Sequence, residues 1–147
     1  MKVISDIRVR WFDESVLMED DPRKLTEIFL GSLGISSDIA VDVMEVLLKA
    51  RAEDVALRTA EIRDSVLKLR KERKIKEKKG LTLRNIQIWI KYFKEIKLVD
   101  RVGERVRFTG NKKPSEAFSE YTKPVIYESS SFVENVLKKA EEAYGIK

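Results

Sequence analysis

The hydrophobic positions of this chain follow two rhythms. In "DIRVRWF" (6–12), Ile7, Val9 and Trp11 alternate with Asp6, Arg8 and Arg10, a period of two that predicts a strand or an extended arm with one apolar face. The acidic "DESVLMEDD" that comes next reads as a loop or short turn. From Asp21 the spacing is helical. Asp21 is a suitable N-cap, Pro22 suits the first helical position and Gly34 suits the stop, with Leu25, Ile28, Phe29 and Leu33 sharing a face. A second helix is predicted over 36–51, with Ser37 as cap, Asp38 complementing the helix dipole, and Ile39, Val43, Val46, Leu47 and Ala50 as the buried stripe. "DVALR" (54–58) allows a brief strand, and Thr59 is expected to cap a third helix whose core positions are Ile62, Val66 and Leu69.

Past Leu69 the apolar spacing gives way to charge, "RKERKIKEKK", ending at Gly80. This run reads either as a solvated extension of the third helix or as a loop. Thr82 then caps a fourth helix, in which Ile86, Trp89, Ile90, Phe93 and Ile96 share one face while Arg84, Gln87, Lys91 and Lys94 recur on the other. That shared face makes Trp89 and Phe93 core residues. Tyr92 lies off it, open to surface contact or partial burial. In "LVDRVGERVRFTGN" two short strands joined around Gly103 and Glu104 read as a β-hairpin. The stretch from Lys112 to Glu128 carries Pro114 and Pro124 and is expected to be partly irregular. A last helix over 131–144, capped within Ser129–Ser131, has Val133, Val136, Leu137, Ala140 and Tyr144 on its apolar side.

Charge changes the picture more than composition does. The net charge is only +5, but residues 68–113 hold 17 basic and 5 acidic side chains, a net of +12, while the remainder carries a net of −7. A molecule polarised in this way matches a one-sided footprint on a polyanion. Charged residues make up 37% of the chain, well above the roughly 25% of an average domain. Gln occurs once, and the surplus of Lys, Glu and Ile resembles a thermophile's usage.

The chemistry available is narrow. There is no Cys and no His, which removes disulfides, thiolate metal sites, the commonest general base and the commonest transition-metal ligand. Glu19, Asp20 and Asp21 read as a cap and loop, and Glu141 and Glu142 as solvated. There is no Gly-rich phosphate loop. The expectation is therefore a protein that is not an enzyme and holds no metal or cofactor. No apolar run approaches the ~18 residues of a membrane span, and charges occupy "MKVISDIRVRW" where a signal peptide is apolar, so a cytoplasmic protein is expected.

Helix, short strand, helix, basic connector, capped helix, then a basic hairpin: this order resembles the winged helix-turn-helix superfamily over about 38–110. The most specific stretch is "LTLRNIQIWIKYFKEIKLVDRVGERVRFTG", in which an aromatic and aliphatic helix runs into a charged hairpin. The resemblance implies a mainly helical fold with a β-hairpin wing, organised as an N-terminal extended segment and helix (1–35), the winged domain (36–112) and a C-terminal extension with a helix (113–147). It implies a double-stranded DNA-binding protein, a transcription regulator of archaeal type. The fourth helix would enter the major groove with Arg84, Asn85 and Gln87 nearest the bases and Ile88 and Lys91 further along. Arg suits guanine, and Asn or Gln suits adenine. Arg101, Arg105 and Arg107 would lie on the wing, and Arg73, Lys74, Lys76, Lys78 and Lys79 would contact phosphates, which position a protein but read no sequence. The basic run departs from the usual short turn of this superfamily. A homodimer is expected, with the helices at 22–33 and 131–144 as candidate contacts. The other reading left open is a winged module that binds proteins in a transcription, replication or repair assembly.

Overall fold

The computed structural model describes residues 1–75 and 81–147. It is mainly helical. In chain order come a 3-10 turn (Glu14–Met18), α1 (Pro22–Ser32), α2 (Asp38–Ala52), β1 (Leu57–Arg58), α3 (Thr59–Glu72), α4 (Leu83–Glu95), β2 (Val99–Val102), β3 (Arg105–Phe108), a short 3-10 turn (Thr109–Asn111), α5 (Pro114–Ala117), a π turn (Phe118–Thr122) and α6 (Lys123–Ala143). The strands form one antiparallel sheet in the order β1-β3-β2. In its register Leu57 faces Val106, and Val99 faces Phe108.

The caps read from sequence are largely in place. Asp21 accepts a hydrogen bond from the Lys24 N–H (2.9 Å), Ser37 from Ala40 (3.2 Å) and Thr82 from Asn85 (3.1 Å). The start of α3 differs by one residue. Arg58, not Thr59, is the N-cap, because the Glu61 carboxylate reaches back to accept its N–H at 3.0 Å.

The five long helices end alike. After each C-cap one residue adopts positive φ: Gly34, Asp54, Lys74, Lys97 or Gly145. The next residue, in turn Ile35, Val55, Ile75, Leu98 and Ile146, sends its N–H back five residues, to Leu30, Ala50, Arg70, Phe93 and Glu141. This is the Schellman motif with an apolar residue after the turn. Three of the five left-handed positions lack Gly, so residue type does not disclose those three stops.

The core is built around α2. Every residue from Ile39 to Leu47 is buried, not only one stripe, because α1, α3, α4 and the sheet surround this helix. That enclosure takes in two carboxylates. Asp42 is 1% exposed and Glu45 is also buried. Asp42 accepts from Arg23 of α1 (2.7 Å) and Arg70 of α3 (2.9 Å), and Glu45 accepts from Arg23 (2.9 Å). Arg73 lies 3.8 Å from both carboxylates. Burial works against the charge on Arg23, but its bonds to Asp42 and Glu45 outweigh that and raise its pKa.

Elsewhere the structure departs from the expected pattern. Residues 6–12 form an arm that joins no strand. The Arg10 N–H donates to the Ser32 carbonyl (2.7 Å), Ile7 packs on the core and Trp11 is 91% exposed. Along α1 and its C-cap the fully buried positions are Thr26, Leu30 and Leu33, whereas Leu25 and Phe29 line an open groove. The C-terminal helix begins at Lys123, not at 131, and continues helical backbone that starts at Pro114. Pro114 sits in a first turn, where a missing N–H costs little, whereas Pro124 lies within the continuing helical path. The π turn just before Pro124 accommodates the ring, which otherwise crowds the carbonyl four residues back. Ser129 does not cap. Its hydroxyl donates to the Val125 carbonyl (2.8 Å) in mid-helix.

Two stability measurements probe these features. Asp42→Ala removes the buried carboxylate that Arg23 and Arg70 share and should cost about 3–5 kcal/mol in urea unfolding. Lys97→Gly relieves a left-handed residue and should stabilise by about 0.5–1 kcal/mol in the same assay, the net of relieved strain and added chain entropy.

Candidate nucleic-acid interface

α4 is held from one side. Ile86, Ile90, Phe93 and, just after the helix, Ile96 are buried, and Trp89 packs half-buried with its ring 6.1 Å from Tyr92 and 6.3 Å from Phe93. Tyr92 is half-buried beside the N-terminal arm. Burial raises its pKa, and the nearby Asp6 carboxylate adds to the rise while Arg8 partly offsets it. The aromatic residues therefore fix α4 in place and are not open platforms for bases.

The opposite face points to solvent. Arg84, Gln87 and Lys91 are exposed along it, and Ile88, 50% exposed, lies between them. Asn85 is half-buried, and its backbone N–H is spent on the Thr82 cap. Lys91 stands 4.0 Å from Glu95, a solvated i,i+4 pair that leaves its charge largely available. Lys94, one step further along, belongs to the same surface. Its spacing from Lys91 is the sequence signal for it.

The hairpin is tightly built. Gly103 takes φ +61° at the first central position of a two-residue turn, the arrangement that suits a twisted hairpin. Asp100 accepts from Arg107 (3.0 Å) and from the Gly110 N–H (3.2 Å). Arg105 donates to the Ala56 carbonyl (3.1 Å) and Glu61 (3.3 Å). Two of the three hairpin arginines thus hold the sheet together. Arg101, exposed near the tip, has no ion pair among the described residues.

No family model, curated protein or solved structure matches this chain. The site rests on its own residues.

The basic run divides at the end of α3. Arg70 and Arg73 turn inward to Asp42 and Glu45, a role the run's composition concealed. The helix then stops, and Lys74 leads the chain away in a left-handed conformation (φ 57°). Lys76, Lys78 and Lys79 lie outside the described residues. Lys68, Lys71, Lys74, Arg84, Lys94, Lys97, Arg101 and Lys113 are exposed and have no ion pair among the described residues. Arg73, Arg105 and Arg107 are matched by carboxylates of the fold itself.

Such a surface pairs hydrogen-bonding side chains on a rigid helix with flanking cations. It suits a grooved polyanion and offers no acid–base or nucleophilic arrangement. Among the described residues no cluster of acidic side chains is placed to hold a metal ion. Because Thr82 anchors the first turn of α4, Thr82→Ala should lower stability by about 1 kcal/mol in thermal or urea unfolding. Amide exchange should rise at Leu83–Asn85 before the rest of the helix.

Proposed function

We propose that this protein binds double-stranded DNA as a sequence-specific transcription regulator, with α4 in the major groove and the β2–β3 hairpin as a wing. On this reading α2, β1, α3, α4, β2 and β3 make a winged helix-turn-helix unit, supported by their order and by the β1-β3-β2 sheet. The observation that carries the proposal is the two-sided character of α4. Its inner face is locked by Ile86, Ile90 and Phe93, which presents Arg84, Gln87 and Lys91 together on a rigid outer face. Arg84 can donate two hydrogen bonds to guanine, Gln87 can pair bidentately with adenine, and Ile88 can meet a thymine methyl group. Arg101 and the lysines between α3 and α4 would contact phosphates on either side.

Binding to duplex DNA, titrated against salt, tests this. Affinity should fall steeply with salt. Changing Lys76, Lys78 and Lys79 to Ala should flatten the slope by roughly 2–3, at about 0.9 per lost phosphate contact, for every sequence alike. Arg84→Ala should cost about 1–3 kcal/mol on a selected site and relax the preference at one base pair. Absence of binding at low salt would sink the proposal and favour a protein partner for the same face.

A further inference from the structure

α6 is a long and mostly exposed helix. Its 21 residues span ~32 Å at 1.5 Å each, and none of them is buried. Phe132 is 68% exposed and Leu137 59%; Tyr144, the C-cap, is 84% exposed. Such a helix is poorly supported by propensity, since it includes Val133 and Val136 and three consecutive serines, and helices of this kind are stabilised mainly by packing an apolar face.

That face is a continuous seam. Ile126, Val133 and Ala140 recur every seven residues, as do Ser129, Val136 and Ala143, and Ser130, Leu137 and Tyr144. None of these nine positions is charged, while Glu128, Glu134, Lys138, Glu141 and Glu142 lie off the seam. Lys139 lies off the seam as well, so the charged residues of α6, four acidic and three basic, all leave the seam's nine positions free of charge. Sustained seven-residue spacing of this kind is the pattern of helix–helix pairing.

The seam complements itself when reversed. With a second copy antiparallel and centred near residue 135, Val133 meets Val136, Ile126 meets Ala143, Ser129 meets Ala140, and Leu137 comes beside Ser130. The apolar side chains Val133, Val136 and Leu137 then gather about the two-fold axis, with Ser and Ala layers toward the ends. In parallel pairing, by contrast, the serine layers would face each other. Reversal also carries the C-terminal end of one α6 toward the root of the other.

We propose that the protein forms a two-fold homodimer through antiparallel pairing of α6, centred near residue 135. Aromatic side chains such as Phe132 and Tyr144 bury ~150–250 Å² each. The pairing holds whether or not α4 binds DNA.

Light scattering with size-exclusion chromatography on the full chain should give twice 17.1 kDa. Leu137→Glu should weaken dimerisation at least roughly tenfold, equivalent to ~1.4 kcal/mol, and the core should unfold as before because no residue of α6 belongs to it. Direction is tested by cysteines, which the natural chain lacks. A Val133→Cys chain mixed with a Val136→Cys chain should yield more disulfide-linked dimer than either alone. A monomeric natural chain, a dimer unmoved by Leu137→Glu, or self-linking of each cysteine chain that exceeds the mixture overturns the proposal.

Discussion

Two carboxylates on the central helix set the terms for the rest of the fold. Asp42 and Glu45 lie on α2, which is enclosed by α1, α3, α4 and the sheet, and a buried carboxylate without a partner costs several kcal/mol. The answer is supplied from both sides: Arg23 comes from α1 and Arg70 from α3, with Arg73 at the edge. The network ties three helices at one point and fixes where α3 ends. It also decides the fate of the basic run. The arginines at its start are consumed by the core, and Lys74, just beyond them, is released to the surface.

The same division of labour recurs in the hairpin. Arg105 and Arg107 carry the charge that attracts attention in the sequence, yet each is held by a carboxylate, Glu61 or Asp100, that keeps the small sheet in register. With Arg70, Arg73, Arg105 and Arg107 spent inside the fold, the positive charge available to a partner is less than the net charge of residues 68–113 suggests. A rigid helix with a few outward donors is better suited to reading a groove than a broad cationic sheet would be, since diffuse cations contribute salt-dependent affinity without discrimination.

Two apolar surfaces of the described chain stay uncovered. The groove beside α1 and the seam of α6 leave apolar surface uncovered in one copy, and patches of this kind mark association surfaces. The apolar stripe of α1 illustrates the point. Leu25, Phe29 and Leu33 do share a face, but only Leu33 is buried.

Much of the architecture was legible from local rules. The caps at Asp21, Ser37 and Thr82, the stripe of α3, the inner face of α4 and the hairpin around Gly103 all depend on neighbours within a few residues, and spacing reports these well. The end of α2 near 51 was legible from spacing, but the left-handed residues that make the stops at Asp54 and Lys74 were not. Each takes the left-handed conformation that lets Val55 or Ile75 bond back to its helix, and neither side chain requests that conformation by its own chemistry. The helical path from Pro114 to Ala143 was obscured because proline marks a break only when its context is unknown. On the candidate interface, sequence alone determined which residue types sit where along α4 and that cations cluster beside it. Only the tertiary structure decided which of those cations are spent. An ion pair across the fold depends on the enclosure of α2, and no spacing along the chain reports how completely a helix is surrounded.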